Sequence, residues 1–289
     1  MTANTDRSDE HLAITQELWP QVNARSLIPV GDGWTCDTYE VDGQWIVQFP
    51  RSAYAEEMLR KQLDVLPPLE MKLPAEVPSP FTPRSRRFTA MLYRRINGVP
   101  FPEAPDGGWP EELGRFLGAL QALRPGDIGL PNVTAGELRK ERDRQLRMMT
   151  ERVLPLVESG VRSRLEQEFA THIGDDRLWE FEPVPVHGDL GPAHILVDAR
   201  GRLAGVIDWE EVAAGDPASD FAWLVHEKPL IGARVVQAAG VRHDAGWSAR
   251  ALFLYVLMPF HEVIYGLQNG QQLFVETGVR GIRQRTALL

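Results

Sequence analysis

Two aspartates and two histidines lie beside short apolar segments in the second half of the chain. They are His187, Asp189, His194 and Asp208. Side chains at strand ends are held more rigidly than those in mobile loops, so such a set could position reacting groups. One known arrangement for phosphoryl transfer, the H-R-D-L-x-x-x-x-N motif followed by D-F-G, has a base aspartate, a metal-binding residue five positions later and a metal-binding aspartate beyond it. Asp189, His194 and Asp208 have this spacing.

The first half of the chain predicts strands around one helix. Asp42-Gly43 is a hairpin turn signal between two apolar runs, and Pro67-Pro68 should stop the helix that follows. Apolar residues with a helical period define that helix. The predicted elements are the strands Thr38–Val41, Trp45–Phe49 and Phe88–Arg95 and the helix Ala53–Leu66.

The second half of the chain is predicted to be mainly helical, with a small hairpin embedded in it. The predicted helices are Glu111–Leu123, Glu137–Val157, Val161–His172 and a long one around Ala249–Leu267, and the short apolar strands are Val184–Val186, Ile195–Val197 and Leu203–Ile207. The expected class is therefore α+β, with a mainly β lobe over residues 1–95 and a mainly α lobe over 96–289.

Composition sets limits on function. The 289 residues are 43% hydrophobic and 25% charged, which is typical of a globular protein, and the net charge of −9 argues against general nucleic-acid binding. The single cysteine, Cys36, excludes an internal disulfide framework. No apolar secretory segment begins the chain, and the longest apolar run, Ala251–Phe260, is about half a membrane span. We expect a soluble, cytoplasmic protein.

Several motifs together resemble the aminoglycoside phosphotransferase family. They are His187-Gly188-Asp189-Leu190-Gly191-Pro192-Ala193-His194-Ile195-Leu196, Ile207-Asp208-Trp209, and Gly215-Asp216-Pro217 through Asp220-Phe221. Histidine at 194, with Gly31-Asp32-Gly33-Trp34 and Phe49-Pro50-Arg51, looks like the 2''-aminoglycoside and macrolide branches. The resemblance implies a protein-kinase-like two-lobe fold and transfer of the γ-phosphoryl group of ATP or GTP to a small-molecule hydroxyl.

The resemblance also assigns roles by position. Asp189 would orient or deprotonate the acceptor hydroxyl, while His194 and Asp208 would hold Mg²⁺. The remaining expected site residues are Gly31, Gly33, Gln48, Arg94 and Ile96 for the nucleotide and Glu227, Glu262 and Tyr265 for the substrate. Asp216 and Asp220 are expected to be structural, because an aspartate at a helix start satisfies free backbone amides.

Gln48 departs from the family pattern. The family usually places a lysine or arginine on this strand to bind the α- and β-phosphates, paired with a helix glutamate whose place falls at Gln62. A neutral amide pair could replace that ion pair, because glutamine both donates and accepts hydrogen bonds. Lys61, Arg51 and Glu57 are close in sequence and could substitute.

Four functions remain open at this point. The leading hypothesis is an aminoglycoside kinase of the resistance type, and a macrolide or other natural-product kinase is the nearest alternative. A nucleotide-binding pseudokinase would fit Gln48, although Asp189 and Asp208 argue against it, and a metallohydrolase lacks the usual paired-histidine spacing. The expected partner is a cationic small molecule, with no nucleic acid or membrane, and the protein is expected to be a monomer or weak dimer.

Overall fold

The computed structural model describes residues 7–30, 33, 35–85, 87–101 and 107–289. After the helix α1 (Ser8–Leu18), the N-terminal part forms a four-stranded antiparallel sheet with the order β1-β2-β3-β4. Its strands are β1 (Leu27–Pro29), β2 (Cys36–Val41), β3 (Trp45–Pro50) and β4 (Met91–Arg94), and the helix α2 (Ala53–Glu70) lies between β3 and β4 in sequence. This arrangement is the expected mainly β lobe.

The β2–β3 hairpin turns at Asp42 and Gly43, as predicted. Both residues have positive φ angles, of 50° and 72°, and Val41 pairs with Trp45 across the turn. Asp-Gly suits such a turn because aspartate tolerates the left-handed region and glycine has no Cβ to clash. The hairpin therefore sets the register in which Gln48 faces Thr38.

The predicted end of α2 was wrong. The helix continues through Pro67 and Pro68 to Glu70, because its last turns bury Leu66 and Leu69 completely in the main core. Burial of two leucines outweighs the backbone hydrogen bonds that the prolines cannot donate. The strand predicted over Phe88–Arg95 is shorter, at Met91–Arg94, and ends where we placed the lobe boundary. Division of the chain at residue 95 stays a prediction.

The C-terminal part is mostly helical, as expected. Its helices are α3 (Trp109–Gln121), α4 (Ala135–Arg152), α5 (Ser159–Gly174), α6 (Ala222–Glu227), α7 (Pro229–Ala239), α8 (Trp247–Asn269) and α9 (Gln272–Thr286). Two small sheets are embedded among them: β5 (Val99–Pro100), β7 (Ile195–Val197) and β8 (Leu203–Val206) form one, and β6 (Val184–Val186) and β9 (Ala213–Gly215) form the other. The predicted β7–β8 hairpin is confirmed. The structure is of the α+β class, with a mainly β part followed by a mainly helical part.

One helix in the described part of the chain, α8, is long and apolar enough to span a membrane by length and composition. More than half of its most apolar window is buried inside the fold. Its buried residues pack either in the main core or in a second apolar cluster with α4, α5 and α9. A helix that is packed in this way is a core helix of the fold.

A buried ion-pair cluster fixes α8 against the segment that follows β9. The Arg250 side chain is fully buried and donates from Nε to Asp216 at 2.8 Å and from both terminal nitrogens to Asp244 at 2.7 Å. Asp216 also accepts the amide N–H of Ala218 at 2.9 Å. This cluster holds the turn that leads to Asp220.

Because buried ion pairs leave an uncompensated charge when one partner is removed, Arg250→Met should lower the free energy of unfolding by about 3–5 kcal/mol. The matched control is Arg147→Met, which removes an exposed ion pair with Asp143 and should cost less than about 1 kcal/mol. Denaturant unfolding of both variants measures the two values. Equal losses would contradict the structural role of the Arg250 cluster.

Candidate active site

His187 ties the backbone of Asp189 to the segment that precedes Asp208. Its ring accepts the amide N–H of Asp189 at Nδ1 (3.3 Å) and donates from Nε2 to the carbonyl of Ile207 (2.9 Å). These roles follow because an amide N–H can only donate and a carbonyl can only accept. Complete burial lowers the pKa of His187 to about 3, so the ring is neutral and acts as a fixed spacer.

His194 joins the two aspartates more directly. Its Nδ1 lies 2.7 Å from the carbonyl oxygen of Asp189 and its Nε2 lies 3.3 Å from Oδ2 of Asp208. Since Nδ1 must donate to the carbonyl, a neutral ring turns the lone pair of Nε2 towards a carboxylate. The Nε2 atom of His194 and Oδ2 of Asp208 therefore face each other. The structure thus brings together the three residues predicted from their spacing.

Asp208 has an unusual backbone conformation, with a φ angle of 68°. The left-handed region costs a non-glycine residue about 1–3 kcal/mol, and aspartate is among the residues that tolerate it best. Flanking contacts maintain it: the amide N–H of Ile207 donates to His194 O (2.9 Å), and the buried indole of Trp209 donates to Val206 O (2.9 Å). The direction of the Asp208 side chain is therefore fixed by its neighbours.

The turn before Asp189 depends on glycine and on a distant carboxylate. Gly188 has a φ angle of 86°, and a Cβ there would lie 2.4 Å from the carbonyl oxygen of Glu211. The buried carboxylate of Asp220 accepts the amide N–H groups of His187 (2.8 Å) and Gly188 (3.0 Å). We expected Asp220 to satisfy amides at a helix start. Instead it satisfies the amides of the loop that carries Asp189.

The charge around Asp189 is strongly negative. Its side chain is open to the cleft, yet loss of hydration raises its pKa, and the carboxylates of Asp208 and Glu211 raise the pKa further while His194 lowers it. Glu210 is also close to Asp208 and Glu211, and its pKa is raised mainly by burial. A cleft with this many carboxylates favours a cationic ligand or a metal ion.

The donor set fits a Mg²⁺ ion that travels with a nucleotide. Within the described ranges, no three His, Cys, Asp or Glu side chains form a metal cluster. Mg²⁺ commonly takes one or two carboxylates and completes its shell with water and phosphate oxygens. Asp208 supplies the oxygen, and the Nε2 lone pair of His194 faces the same point.

The predicted nucleotide residues lie in different surroundings. Gly31 lies outside the described residues. Gly33 accepts a hydrogen bond from the Arg51 guanidinium at its carbonyl, and a Cβ there would lie 3.0 Å from the carbonyl oxygen of Cys36.

The amide pair considered for Gln48 and Gln62 is not formed. Oε1 of Gln48 and Nε2 of Gln62 are both buried and have no hydrogen-bond partner among the described residues. The inner part of this lobe therefore contains an unused acceptor and an unused donor, and no charge at either position.

Arg94 and Ile96 line a cavity of about 810 Å³ together with Trp45, Glu76 and other residues. The guanidinium of Arg94 lies over the Trp45 ring, 4.5 Å from its centroid. Neither Asp189 nor Asp208 lines this cavity. The nucleotide role of Arg94 and Ile96 stays a prediction.

The expected substrate residues are engaged with other side chains. Glu227 accepts hydrogen bonds from Arg285 (2.7 Å) and from the Tyr255 hydroxyl (3.1 Å). Glu262 accepts one from Thr277, and Tyr265 packs edge-on against Phe274 with ring centroids 5.2 Å apart. These contacts join the C-terminal helices, and a substrate role for the three residues stays a prediction.

Sequence reasoning missed a contact between the lobes at this site. The hydroxyl of Thr35, at the start of β2, donates to the carboxylate of Glu210. Glu210 could have been noticed because it lies close to Asp208 in sequence. Nothing in the sequence pointed to Thr35, because its partner lies far away along the chain. The contact places Thr35, the residue before β2, against the segment that follows Asp208.

Comparison with known proteins identifies the family of the chain. The model of the phosphotransferase enzyme family (APH) matches residues 26–253, and the chain belongs to that family. A similar curated relative is the viomycin phosphotransferase of Streptomyces vinaceus, 33% identical over 136 residues. That alignment covers 45% of this chain and 46% of the relative, so it spans about half of each length.

Solved structures share the fold over nearly the whole chain. The GDP and kanamycin complex of APH(2'')-IIia superposes with a TM-score of 0.85 and 21% identity, covering 96% of this chain and 98% of that one. The macrolide 2'-phosphotransferase MphH from Brachybacterium faecium gives a TM-score of 0.70 and 20% identity, with coverage of 96% and 98%. At such identities the likeness establishes the fold.

The buried carboxylate of Asp220 predicts a pH-dependent stability. Desolvation raises its pKa from 3.8 to about 6, so the folded state binds its proton more tightly than the unfolded state does. The contribution of Asp220 to the free energy of unfolding is therefore fully present below about pH 4. It falls by about 3 kcal/mol in total as the pH rises to about 6.

Asp220→Asn should not show this loss, because the amide does not titrate. The advantage of wild type over the variant in unfolding free energy should shrink between pH 4 and pH 7, as measured by urea unfolding at each pH. A difference that is independent of pH would contradict the protonation behaviour assigned to Asp220.

Proposed function

We propose that the protein transfers the γ-phosphoryl group of ATP or GTP to a hydroxyl group of a cationic antibiotic of the aminoglycoside type, in the cytoplasm. The observation that supports this most strongly is the His194 bridge, which contacts the Asp189 carbonyl and the Asp208 carboxylate and so brings the two aspartates to the same site. Phosphoryl transfer can use such a pair, one aspartate for the acceptor and one for the metal. Membership of the phosphotransferase family supports the same reaction class.

Asp189 acts on the acceptor in this proposal. Its carboxylate accepts a hydrogen bond from the substrate hydroxyl, aligns the oxygen with the γ-phosphorus and takes the proton as the new P–O bond forms. The bond to the β-phosphate oxygen breaks, and the nucleoside diphosphate leaves. The raised pKa of Asp189 strengthens it as a proton acceptor.

Asp208 acts on the donor. With His194 it would hold Mg²⁺, which, when bound, neutralises charge on the phosphates. The fixed backbone of Asp208 and the two imidazoles keep this carboxylate apart from Asp189, so that one aspartate serves the donor and the other the acceptor. Positioning and charge neutralisation are most of what phosphoryl transfer demands.

The charge of the cleft supports a cationic acceptor. Glu211 is exposed beside Gly188, and Asp189 is open to the cleft as well. Ammonium groups of an acceptor would offset the electrostatic repulsion between these carboxylates. Because Glu227 is already paired with Arg285, we assign recognition of positive charge to Glu211 in preference to Glu227.

A panel of kanamycin, gentamicin, viomycin and one macrolide, each with ATP and with GTP, tests the proposal. Mass spectrometry should detect a phosphorylated product with at least one of the three cationic antibiotics and none with the macrolide. Product from the macrolide alone would overturn the acceptor class, and no product from any member would count against an antibiotic kinase.

Asp189→Ala should lower kcat by about 10²–10⁴-fold with the accepted antibiotic, since it removes the group that orients and deprotonates the hydroxyl. Nucleotide affinity, measured by calorimetry, should stay at the wild-type value. Asp64→Ala, which removes an exposed carboxylate on α2, is the matched control and should keep full turnover. Near-wild-type turnover by the Asp189 variant would refute its assignment.

Asp208→Asn should abolish the dependence of nucleotide binding on Mg²⁺, because the amide binds the ion more weakly than the carboxylate does. Titration of a non-hydrolysable triphosphate with and without Mg²⁺ separates the metal-dependent part of the affinity. If the variant responds to Mg²⁺ as wild type does, Asp208 is not a metal ligand.

A further inference from the structure

The chain enters β2 through Gly33, which the sequence predicts to lie beside the phosphates of the donor nucleotide. We call Gly33, Thr35 and Asp37 the β2 entry. Among the described residues, the pairing of β1 with β2 reaches as far as Thr38, whose carbonyl accepts the amide N–H of Val30 at 2.9 Å. The β2 entry lies beyond that pairing, so its position depends on other contacts.

Arg51, the residue after β3, contacts all three residues of the β2 entry. Its backbone N–H donates to the carbonyl of Thr35 at 2.9 Å. Its side chain donates from Nε to the carboxylate of Asp37 at 2.6 Å and from a terminal nitrogen to the carbonyl of Gly33. Because these contacts fall on alternate residues, they fix the path of the β2 entry as well as its distance from β3.

The ion pair with Asp37 compensates the charge of Arg51. The Asp37 side chain is 11% exposed, so water competes little for its carboxylate. Arg51 is therefore not a free cation that could replace a lysine or arginine at position 48. Its guanidinium instead holds two acceptors at once, which requires the planar fork of donors that arginine has and lysine lacks.

The β2 entry also contacts the segment that follows Asp208. The hydroxyl of Thr35 donates to the carboxylate of Glu210, two residues after Asp208. Arg51 thus holds the backbone of Thr35 while Glu210 holds its side chain. A change at Arg51 would therefore move Gly33 relative to the segment expected to bind the metal ion.

We propose that Arg51 is a positioning residue for the donor nucleotide, which holds Gly33 at the distance from Asp208 that the phosphates require and does not touch them. The inference rests on the proposed function, because it concerns the same nucleotide. The bond to the Gly33 carbonyl also occupies an oxygen that would repel phosphate oxygens if it faced them. The site needs the fork of Arg51 and not its charge.

The test compares wild type with Arg51→Lys, which keeps the positive charge and loses the fork. Calorimetry with Mg²⁺ and the analogue that wild type binds, AMP-PNP or GMP-PNP, should show at least a tenfold loss of affinity, equivalent to about 1.4 kcal/mol. Affinity for the corresponding nucleoside, adenosine or guanosine, should stay at the wild-type value because a nucleoside has no phosphates. A role in stability alone would lower both affinities.

Arg60→Lys is the matched control. Arg60 lies on α2 and forms an exposed ion pair with Glu56 at 2.6 Å, so the same replacement should leave both affinities unchanged. Thermal unfolding checks that each variant is folded.

A second measurement does not depend on any variant. A crystal structure of wild type with Mg²⁺ and the triphosphate analogue should retain the bonds from Arg51 to Asp37 and to the Gly33 carbonyl. No guanidinium nitrogen should lie within hydrogen-bond distance of a phosphate oxygen.

Three results would overturn the proposal: unchanged triphosphate affinity in Arg51→Lys, an equal loss of affinity for the nucleoside, or a direct contact between Arg51 and a phosphate. If wild type bound neither triphosphate analogue, the proposed function would fail and the inference with it. A wild type that binds while Arg51→Lys is unaffected removes the inference alone.

Discussion

The site depends on one constraint: two imidazoles must hold two aspartates at a fixed separation. His187 joins the backbone of Asp189 to that of Ile207, and His194 joins Asp189 to the Asp208 carboxylate itself. Neutrality of the buried His187 ring makes this possible, because a charged ring could not accept the Asp189 amide. These contacts fix the positions of Asp189 and Asp208 relative to each other.

The rest of the fold supplies the supports for this arrangement. The β7–β8 hairpin presents His194 and Asp208 from adjacent strand ends, and Asp220 anchors the preceding loop from another element. Arg250 fixes the segment leading to Asp220 through its ion pair with Asp216. Strain at Asp208 and the buried charge at Asp220 both lower stability, and packing elsewhere in the lobe offsets them.

The cleft is acidic, and its function depends on how that charge is balanced. Four carboxylates lie at or beside the site: Asp189, Asp208, Glu210 and Glu211. A cationic acceptor or a metal ion bound there would reduce the repulsion between these carboxylates.

Much of the site could be predicted from the sequence because its main residues lie close together along the chain. The five-residue spacing between Asp189 and His194, and the hairpin that leads to Asp208, both lie within one short stretch of sequence and could be predicted from it. Contacts between distant segments were not: Asp220 with the His187 amide, Thr35 with Glu210, and Glu227 with Arg285 leave no local pattern. The extension of α2 through two prolines likewise depends on leucine burial in a core that only the folded chain defines.

A crystal structure of the protein with Mg²⁺ and a non-hydrolysable triphosphate tests the central claim most directly. The account predicts an Asp208 oxygen about 2.1 Å from the ion, with the Asp189 carboxylate unliganded and facing the acceptor side of the γ-phosphate. Phosphate groups bound away from Asp208, or an ion held without Asp208, would contradict it.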